Sequence, residues 1–240
     1  MDLSAFIKAG DLAALGEQAL RWRPGLGDTH HSEVLASGRE AGGVAAALAL
    51  ALDEAGERLG DRSVLWVQDA AALKRNGRPY RPGLPEPLRR RLIHVAAKTP
   101  ADLLFALEEG LRCRDLAFVI GELAGNPKAF DLTASRRLSL VAEKHGVPLM
   151  LVRLDAERDL SSARMRWQVR SAPSPAPRWN AAAPGTPAWH AKLFRARGHA
   201  PGEWILRDDG HVLAADRLAA AAPDPVGLAL AASDRSLAAG

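Results

Sequence analysis

The apolar residues of this chain follow two patterns that alternate along most of its length. Short continuous apolar runs, typical of strands covered on both faces, occupy residues 34–35, 63–68, 92–96, 116–120 and 147–152. Apolar residues at helical spacing occupy residues 44–59, 99–113 and 133–144. Because strands alternate with helices and no hairpin signal precedes residue 154, the pattern predicts βαβ units and a mostly parallel sheet.

Local end signals support two of these helices. Thr99 is a suitable N-cap with Pro100 at the first helical position, and Gly146 closes the helix over residues 133–144. The Gly and Pro residues of 76–83 predict a loop between the second and third strands.

The two ends of the chain differ from the middle. Residues 3–20 have rough helical spacing and predict a short amphipathic helix or a pair of helices. Residues 171–188 are rich in Pro, Ala and Ser, which predicts a linker, and 189–194 with 203–207 then alternate like a β-hairpin. The predicted organisation is a helical segment at 1–21, an α/β core at 22–170, the linker at 171–188, the hairpin extension at 189–218 and a flexible tail at 219–240.

The amino-acid composition excludes several classes of protein. Of 240 residues, 48% are hydrophobic and 25% are charged, which is ordinary globular usage and excludes wholesale disorder. The single cysteine, Cys113, excludes a disulfide framework and a Cys-based zinc site and fits a reducing compartment. The longest apolar run, residues 44–52, is too short to span a membrane, and the N-terminus is not a secretory signal. We therefore expect a cytoplasmic protein without a membrane segment, and the histidines show no metal-ligand spacing.

The positive charge is unevenly placed. The chain carries +4 overall, whereas residues 162–207 hold eight basic residues and one acidic residue. Four of the six tryptophans lie in the same segment: Trp167, Trp179, Trp189 and Trp204. Arginine interleaved with aromatic residues is typical of a surface that binds nucleic acid or a protein partner. The alternative is a Pro-rich extension whose tryptophans pack onto the main domain.

A glycine-bearing loop follows the first predicted strand and opens a helix. Residues 38–45 match the spacing of the phosphate-binding pattern G-x-x-x-x-G-K-[ST] through Gly38 and Gly43, with Gly42 beside them. Val44 replaces the lysine that neutralises the phosphates, and Ala45 replaces the hydroxyl that binds Mg²⁺. The loop therefore predicts the relic of a phosphate site without ATP hydrolysis, and a tight strand-to-helix turn is the alternative.

Glu122 follows the fourth apolar run, where an acidic residue that positions Mg²⁺ normally lies. The alternative is a carboxylate at a strand end that pairs with a nearby base such as Arg136 or Arg137. Since Ala45 supplies no hydroxyl, a metal at Glu122 would lack its usual second ligand.

Seven stretches of the chain, taken in order and content, point to a known family. They are residues 65–69 (LWVQD), 77–84 (GRPYRPGL), 106–112 (ALEEGLR), 133–140 (TASRRLSL), 146–153 (GVPLMLVR), 162–169 (SARMRWQV) and 189–198 (WHAKLFRARG). Together they resemble the ImuA family of RecA-like accessory proteins in bacterial SOS mutagenesis. The resemblance covers roughly residues 22–207. Its most specific parts are Arg-Arg-Leu at 136–138 and Arg-x-Arg-Trp at 164–167.

This resemblance implies a RecA-like core. It also implies partnership with ImuB, a catalytically inactive relative of Y-family polymerases, and with an error-prone C-family polymerase, in a translesion assembly on damaged DNA. Within the wider RecA superfamily, residues 38–45 fall on the ATP loop and Glu122 on the second acidic motif. Three alanines at residues 70–72 stand where the catalytic glutamate would follow the second strand.

The predicted fold is α/β: a RecA-like core with a mostly parallel sheet and a degenerate phosphate loop, followed by the linker and hairpin extension.

We expect a non-catalytic bridging subunit of translesion synthesis that uses no ATP and no metal. Contacts to a partner or nucleic acid are expected at Arg136, Arg137, Arg164, Arg166, Trp167, Arg195 and Arg197. A RecA-type filament and DNA itself are further candidate partners. Two alternatives stay open: a RecA-like ATPase or recombinase with an atypical phosphate site, and an interaction protein resembling SOS division inhibitors.

Overall fold

The computed structural model describes residues 30–177, 180, 182–208 and 213–218. The predicted N-terminal helix in residues 3–20, Trp179 and the tail from residue 219 lie outside the described residues.

Strands and helices alternate through the first two thirds of the described chain. The strands are β1 (His31–Ala36), β2 (Ser63–Gln68), β3 (Leu92–Ala96), β4 (Leu116–Ala124), β5 (Leu149–Leu154), β6 (Met165–Ser171), β7 (Ala188–Ala196), β8 (Gly202–Asp208) and β9 (Leu213–Arg217). The α-helices are α1 (Gly42–Ala55), α2 (Ala70–Asn76), α3 (Glu86–Arg89), α4 (Pro100–Arg112) and α5 (Leu132–His145), with 3-10 turns at Gly56–Leu59 and Arg81–Gly83.

The described strands form one sheet in the order β3-β2-β4-β5-β1-β6-β7-β8-β9. The six strands from β3 to β6 in this order are parallel to their neighbours, and β7, β8 and β9 continue the sheet in antiparallel pairs. The predicted α/β class with a mostly parallel sheet is confirmed, and the architecture is consistent with a RecA-like core.

Helices cover both faces of the parallel part of the sheet, which explains its continuous apolar strands. Alternate residues of each strand point to opposite faces. Ile120 of β4 belongs to the core cluster that includes α1, whereas its neighbour Val119 belongs to the cluster that includes Leu107 of α4 and Leu138 of α5. The sheet is therefore the middle layer of three.

The predicted hairpin strands are part of this same sheet. β7 pairs with β6 from Met165–Ala196 to Ser171–Trp189, so the strands after the Pro-rich segment continue the core sheet. Trp189 and Trp204 are buried, and the rings of Trp167 and Trp204 meet edge-on with centroids 5.7 Å apart. These three tryptophans pack onto the main domain, which is the second interpretation that the sequence left open. The division into core, linker and extension stays a prediction.

Four of the described elements were not predicted from the pattern: α2, α3, β6 and β9. The seven-residue helix α2 begins directly after β2, where the Asp69 carboxylate accepts a hydrogen bond from the Ala72 N–H at 2.6 Å and caps the helix. Strand β6 has no continuous apolar run, because Arg166 lies among its apolar residues, and the pattern therefore did not predict it. In the described part of the chain, no helix is long and apolar enough to cross a membrane.

Candidate functional site

The carboxyl ends of the parallel strands meet at one edge of the sheet, where open α/β proteins bind their ligands. At this edge the structure places the loop between β1 and α1, the end of β4 with Glu122, and Asp155 directly after β5. A cavity of about 560 Å³ opens beside the loop and extends along β6, β7 and β8.

A carboxylate of the chain itself accepts a hydrogen bond from the first glycine of the loop. The Gly38 N–H donates to Asp155 Oδ1 at 2.9 Å, and the second carboxylate oxygen of Asp155 pairs with the Arg75 guanidinium. Asp155 adopts the left-handed conformation with φ of 50°, which is uncommon for a residue with a side chain and best tolerated by Asp and Asn. A backbone N–H that a phosphate-binding loop presents to its ligand is thus already bonded within the chain.

Close packing accounts for the other two glycines of the loop. A Cβ at Gly42 would lie 2.5 Å from the Ser171 Oγ of β6, and a Cβ at Gly43 would overlap the Cβ of Ala36 in β1. Both positions therefore require glycine because α1 starts in direct contact with two strands. This is the strand-to-helix turn that the sequence offered as the alternative to a phosphate site.

Glu122 is buried among neutral hydrogen-bond donors. Its Oε1 accepts from Trp66 Nε1 at 2.6 Å and from Gln68 Nε2 at 3.0 Å, and its Oε2 accepts from Asn76 Nδ2 at 2.9 Å. Burial raises the pKa of the Glu122 carboxyl above its usual value, and these hydrogen bonds oppose the rise.

The predicted pairing of Glu122 with Arg136 or Arg137 is wrong. Glu122 lies two residues after Ile120 on β4, so both side chains point to the face of the sheet that α1 covers. Helix α5, which carries both arginines, covers the opposite face. Arg137 pairs with Glu108 of α4 instead, and Arg136 is exposed.

The polar groups at the ends of β2 and β4 form one internal network. Gln68 donates to Glu122 and to the Gly77 carbonyl, and its Oε1 lies 2.8 Å from His94 Nε2 on β3. Asp69 is committed to capping α2. Among the described residues, no group of three or more His, Cys, Asp or Glu side chains could hold a metal ion.

The cavity beside the loop is lined by charges of both signs. Glu203 of β8 accepts from Lys192 Nζ at 2.7 Å and lies 2.8 Å from His190 Nε2, and hydrogen bonding to Lys192 lowers the pKa of the Glu203 carboxyl. Glu40 and Asp155 add negative charge on the loop side. The charges around the cavity therefore favour neither an anionic nor a cationic ligand.

Two of the predicted contact residues belong to the core. The Arg166 side chain is 4% exposed, and its Nε donates to Glu33 Oε2 at 2.8 Å while its Nη1 donates to the Asp159 carbonyl at 2.7 Å. Trp167 is fully buried against Trp204. Both predictions of a contact role are corrected, because alternation along β6 directs Trp167 into the tryptophan cluster and Arg166 onto a buried carboxylate.

The other predicted arginines lie on one side of the molecule. The Arg197 N–H donates to the Arg164 carbonyl at 2.9 Å, and Arg195 pairs in register with β6, so these three residues share one end of β6 and β7. The Arg164 guanidinium donates to Glu143 of α5 at 2.6 Å and joins that strand end to the helix bearing Arg136.

Sequence reasoning missed Asp155, although one signal was available. An acidic residue directly after an apolar parallel strand must lie at the carboxyl edge of the sheet, beside any loop that follows a neighbouring strand. Only the strand order, which places β5 next to β1, shows that this residue reaches Gly38.

Comparison with known proteins gives one consistent result. Among curated proteins, the ImuA proteins of two strains of Caulobacter vibrioides are each 35% identical to this chain over 133 residues. The match covers 50% of this chain and 52% of the relative. It supports an assignment to the ImuA family.

No protein-family model matches the chain, so its similarity to ImuA rests on these relatives together with the motifs of the sequence. The chain spans about half the length of the curated ImuA proteins it matches. What a whole ImuA protein does is therefore a proposal for this chain.

Proposed function

We propose that this chain is a non-catalytic, RecA-like accessory subunit of damage-induced mutagenesis that bridges the proteins of a translesion synthesis assembly. The observation that carries the non-catalytic part is the Asp155 carboxylate bonded to the Gly38 N–H. The likeness to ImuA supports the mutagenesis role.

A nucleoside triphosphate is a poor fit for the loop. A phosphate at Gly38 would have to displace Asp155, and Glu40 of the same loop adds a second carboxylate. Two unit charges of like sign 4 Å apart repel by about 4 kcal/mol at the effective dielectric constant near a protein surface. Val44 supplies no ammonium group and Ala45 no oxygen for Mg²⁺, and losing such groups costs on the order of 10³-fold in phosphoryl transfer.

A surface suited to a protein partner lies on α5 and the adjoining strand ends. Leu132, Arg136 and Leu140 follow one another at four-residue spacing, and the two leucines are 46% and 55% exposed. Arg164, Arg195 and Arg197 continue this surface across Glu143. We call these six residues the α5 surface: Leu132, Arg136, Leu140, Arg164, Arg195 and Arg197.

Exposed apolar side chains beside arginine are more typical of a protein-binding surface than of a nucleic-acid groove. The partners proposed for it are an ImuB-like inactive relative of Y-family polymerases and, through it, an error-prone C-family polymerase.

Co-purification with an ImuB-like protein tests this role. Arg136→Ala combined with Leu140→Asp should weaken binding at least tenfold, because it removes an apolar contact and a cation from the middle of the α5 surface. Phe105→Asp on α4 is the matched control, since Phe105 is also an exposed apolar residue (68%) on a helix. Equal capture of the Arg136/Leu140 variant and the wild type, with unchanged thermal unfolding, would contradict the proposal.

A further inference from the structure

The densest positive charge in the described chain extends from α2 to the residues just after β3. Residues 74–98 contain eight basic residues and one acidic residue, a net charge of +7 in 25 positions. Residues 162–207 need 46 positions for the same net charge.

Carboxylates pair with half of the basic residues in the later segment and with a quarter of those in the earlier one. In residues 162–207, carboxylates from other parts of the chain or from the same hairpin pair with Arg164, Arg166, Lys192 and Arg207. In residues 74–98, Arg75 pairs with Asp155 and Arg91 with Asp61. Within the described residues, no carboxylate forms an ion pair with the other six: Lys74, Arg78, Arg81, Arg89, Arg90 and Lys98.

Backbone carbonyls hold two of these guanidinium groups in place. Arg81 Nη2 donates to the Leu92 carbonyl and Arg89 Nε donates to the Leu84 carbonyl, each at 2.9 Å. The buried Leu84 and Leu88 side chains anchor the segment to the core. A carbonyl fixes the orientation of a guanidinium without cancelling its charge, so the surface stays positive.

Several of these cations lie along the outer strand β3. The Arg81 guanidinium donates to the carbonyl of Leu92 in this strand, and burial together with the positive charges of Arg78 and Arg81 lowers the pKa of the His94 imidazole of β3. At the start of the strand, a cavity of about 560 Å³ is lined by three cations and one carboxylate: Arg89, Arg90, Arg91 and Glu86.

An exposed aromatic ring lies within this surface. Tyr80 is 74% exposed and stands between Arg78 and Arg81 in the sequence, with a proline on either side. Prolines restrict the backbone, so the ring is presented at low cost in conformational entropy. A ring among cations matches single-stranded nucleic acid, whose bases stack on aromatic side chains while its phosphates meet arginine.

We propose that residues 74–98 form a binding surface for single-stranded nucleic acid, with Arg78, Arg81, Arg89 and Arg90 at the phosphates and Tyr80 under a base. The surface is separate from the α5 surface, and its occupation requires no protein partner. Failure of this inference therefore leaves the proposed bridging role standing, and the reverse also holds.

Fluorescence anisotropy of a labelled 30-nucleotide single strand, titrated with the full chain at several salt concentrations, tests the surface. Arg78→Gln with Arg90→Gln should weaken binding about tenfold at low salt. It should also flatten the plot of log K against log salt by about 1.4, because each phosphate contact on a single strand contributes about 0.7. Neither side chain has a hydrogen-bond partner within the described residues, so the fold should be kept.

Lys128→Gln with Lys144→Gln is the control, because both lysines are exposed and the change in charge is the same. This pair should alter the affinity less than twofold. Tyr80→Ala should weaken binding about fivefold, whereas Tyr80→Phe should bind like the wild type because it keeps the ring.

Three results would overturn the inference: no binding by the wild type, equal losses in the two charge variants, or equal binding by Tyr80→Ala and Tyr80→Phe. The third result, with polyglutamate competing as well as DNA, would assign the surface to an acidic protein segment instead.

Discussion

Arg164 and Arg166 show how far the environment decides what one residue does. Arg164 directly precedes β6, and Arg166 is the second residue of that strand. Arg164 is 36% exposed and pairs with Glu143 at the surface, whereas Arg166 is 4% exposed and pairs with the fully buried Glu33. A charge count along the sequence treats the two alike, but only one of them is available to a partner.

Replacing each arginine with alanine should lower the free energy of unfolding by different amounts in these two environments. Arg166→Ala leaves the Glu33 carboxylate buried without its cation, which should lower the free energy of unfolding by about 3–5 kcal/mol. Arg164→Ala removes a surface ion pair and should cost about 0.2–1 kcal/mol. Urea denaturation of both variants measures the difference, and equal small losses would show that Arg166 is not a core residue.

Helix α4 illustrates an element that its own sequence specifies. The Thr99 hydroxyl accepts from the Asp102 N–H at 3.1 Å, and the Asp102 carboxylate accepts from the Thr99 N–H at 3.1 Å, which completes a capping box. The sequence predicts the cap at Thr99 and the first turn at Pro100 because these signals are local.

Thr99→Ala should lower the free energy of unfolding by about 1 kcal/mol, because one N–H at the start of α4 loses its acceptor. Thr133→Ala is the control, since Thr133 lies exposed in the first turn of α5, where Asp131 provides the cap. Chemical denaturation should show a loss for Thr99→Ala that clearly exceeds that of the control; equal losses would contradict the capping argument.

Elements that depend on distant partners could not be predicted in the same way. β6 alternates Trp167 and Val169 with polar or charged residues, and its place beside β1 follows from a pairing across more than 130 residues of chain. β7 and β8 were predicted as a hairpin, but their attachment to β6 needed the structure, because register between distant strands leaves no local signal.

The sequence alone explains only part of the glycine loop, because the rest depends on how the whole molecule folds. The sequence alone shows that position 44 has no lysine and position 45 no hydroxyl, because Val44 and Ala45 stand there. The closure of the loop by Asp155 requires β5 to lie next to β1, and the glycine at 43 is explained only by its contact with Ala36.

The sheet also separates the proposed surfaces. α5 covers one face, while residues 74–98 border the outer strand β3 at the end of the sheet, four strands away from β1 in the order of pairing. A bridging subunit needs such separation, because two partners can then be held at once without competing for the same residues.

The non-catalytic role is best tested by equilibrium titration of the full chain with Mg²⁺-ATP, followed by a phosphate-release assay on the same sample. With Asp155 bonded to the loop and no lysine or hydroxyl at residues 44 and 45, we expect no saturable binding below millimolar ATP and no release above background. Micromolar affinity with turnover would contradict it and would favour a RecA-like ATPase with an atypical phosphate site.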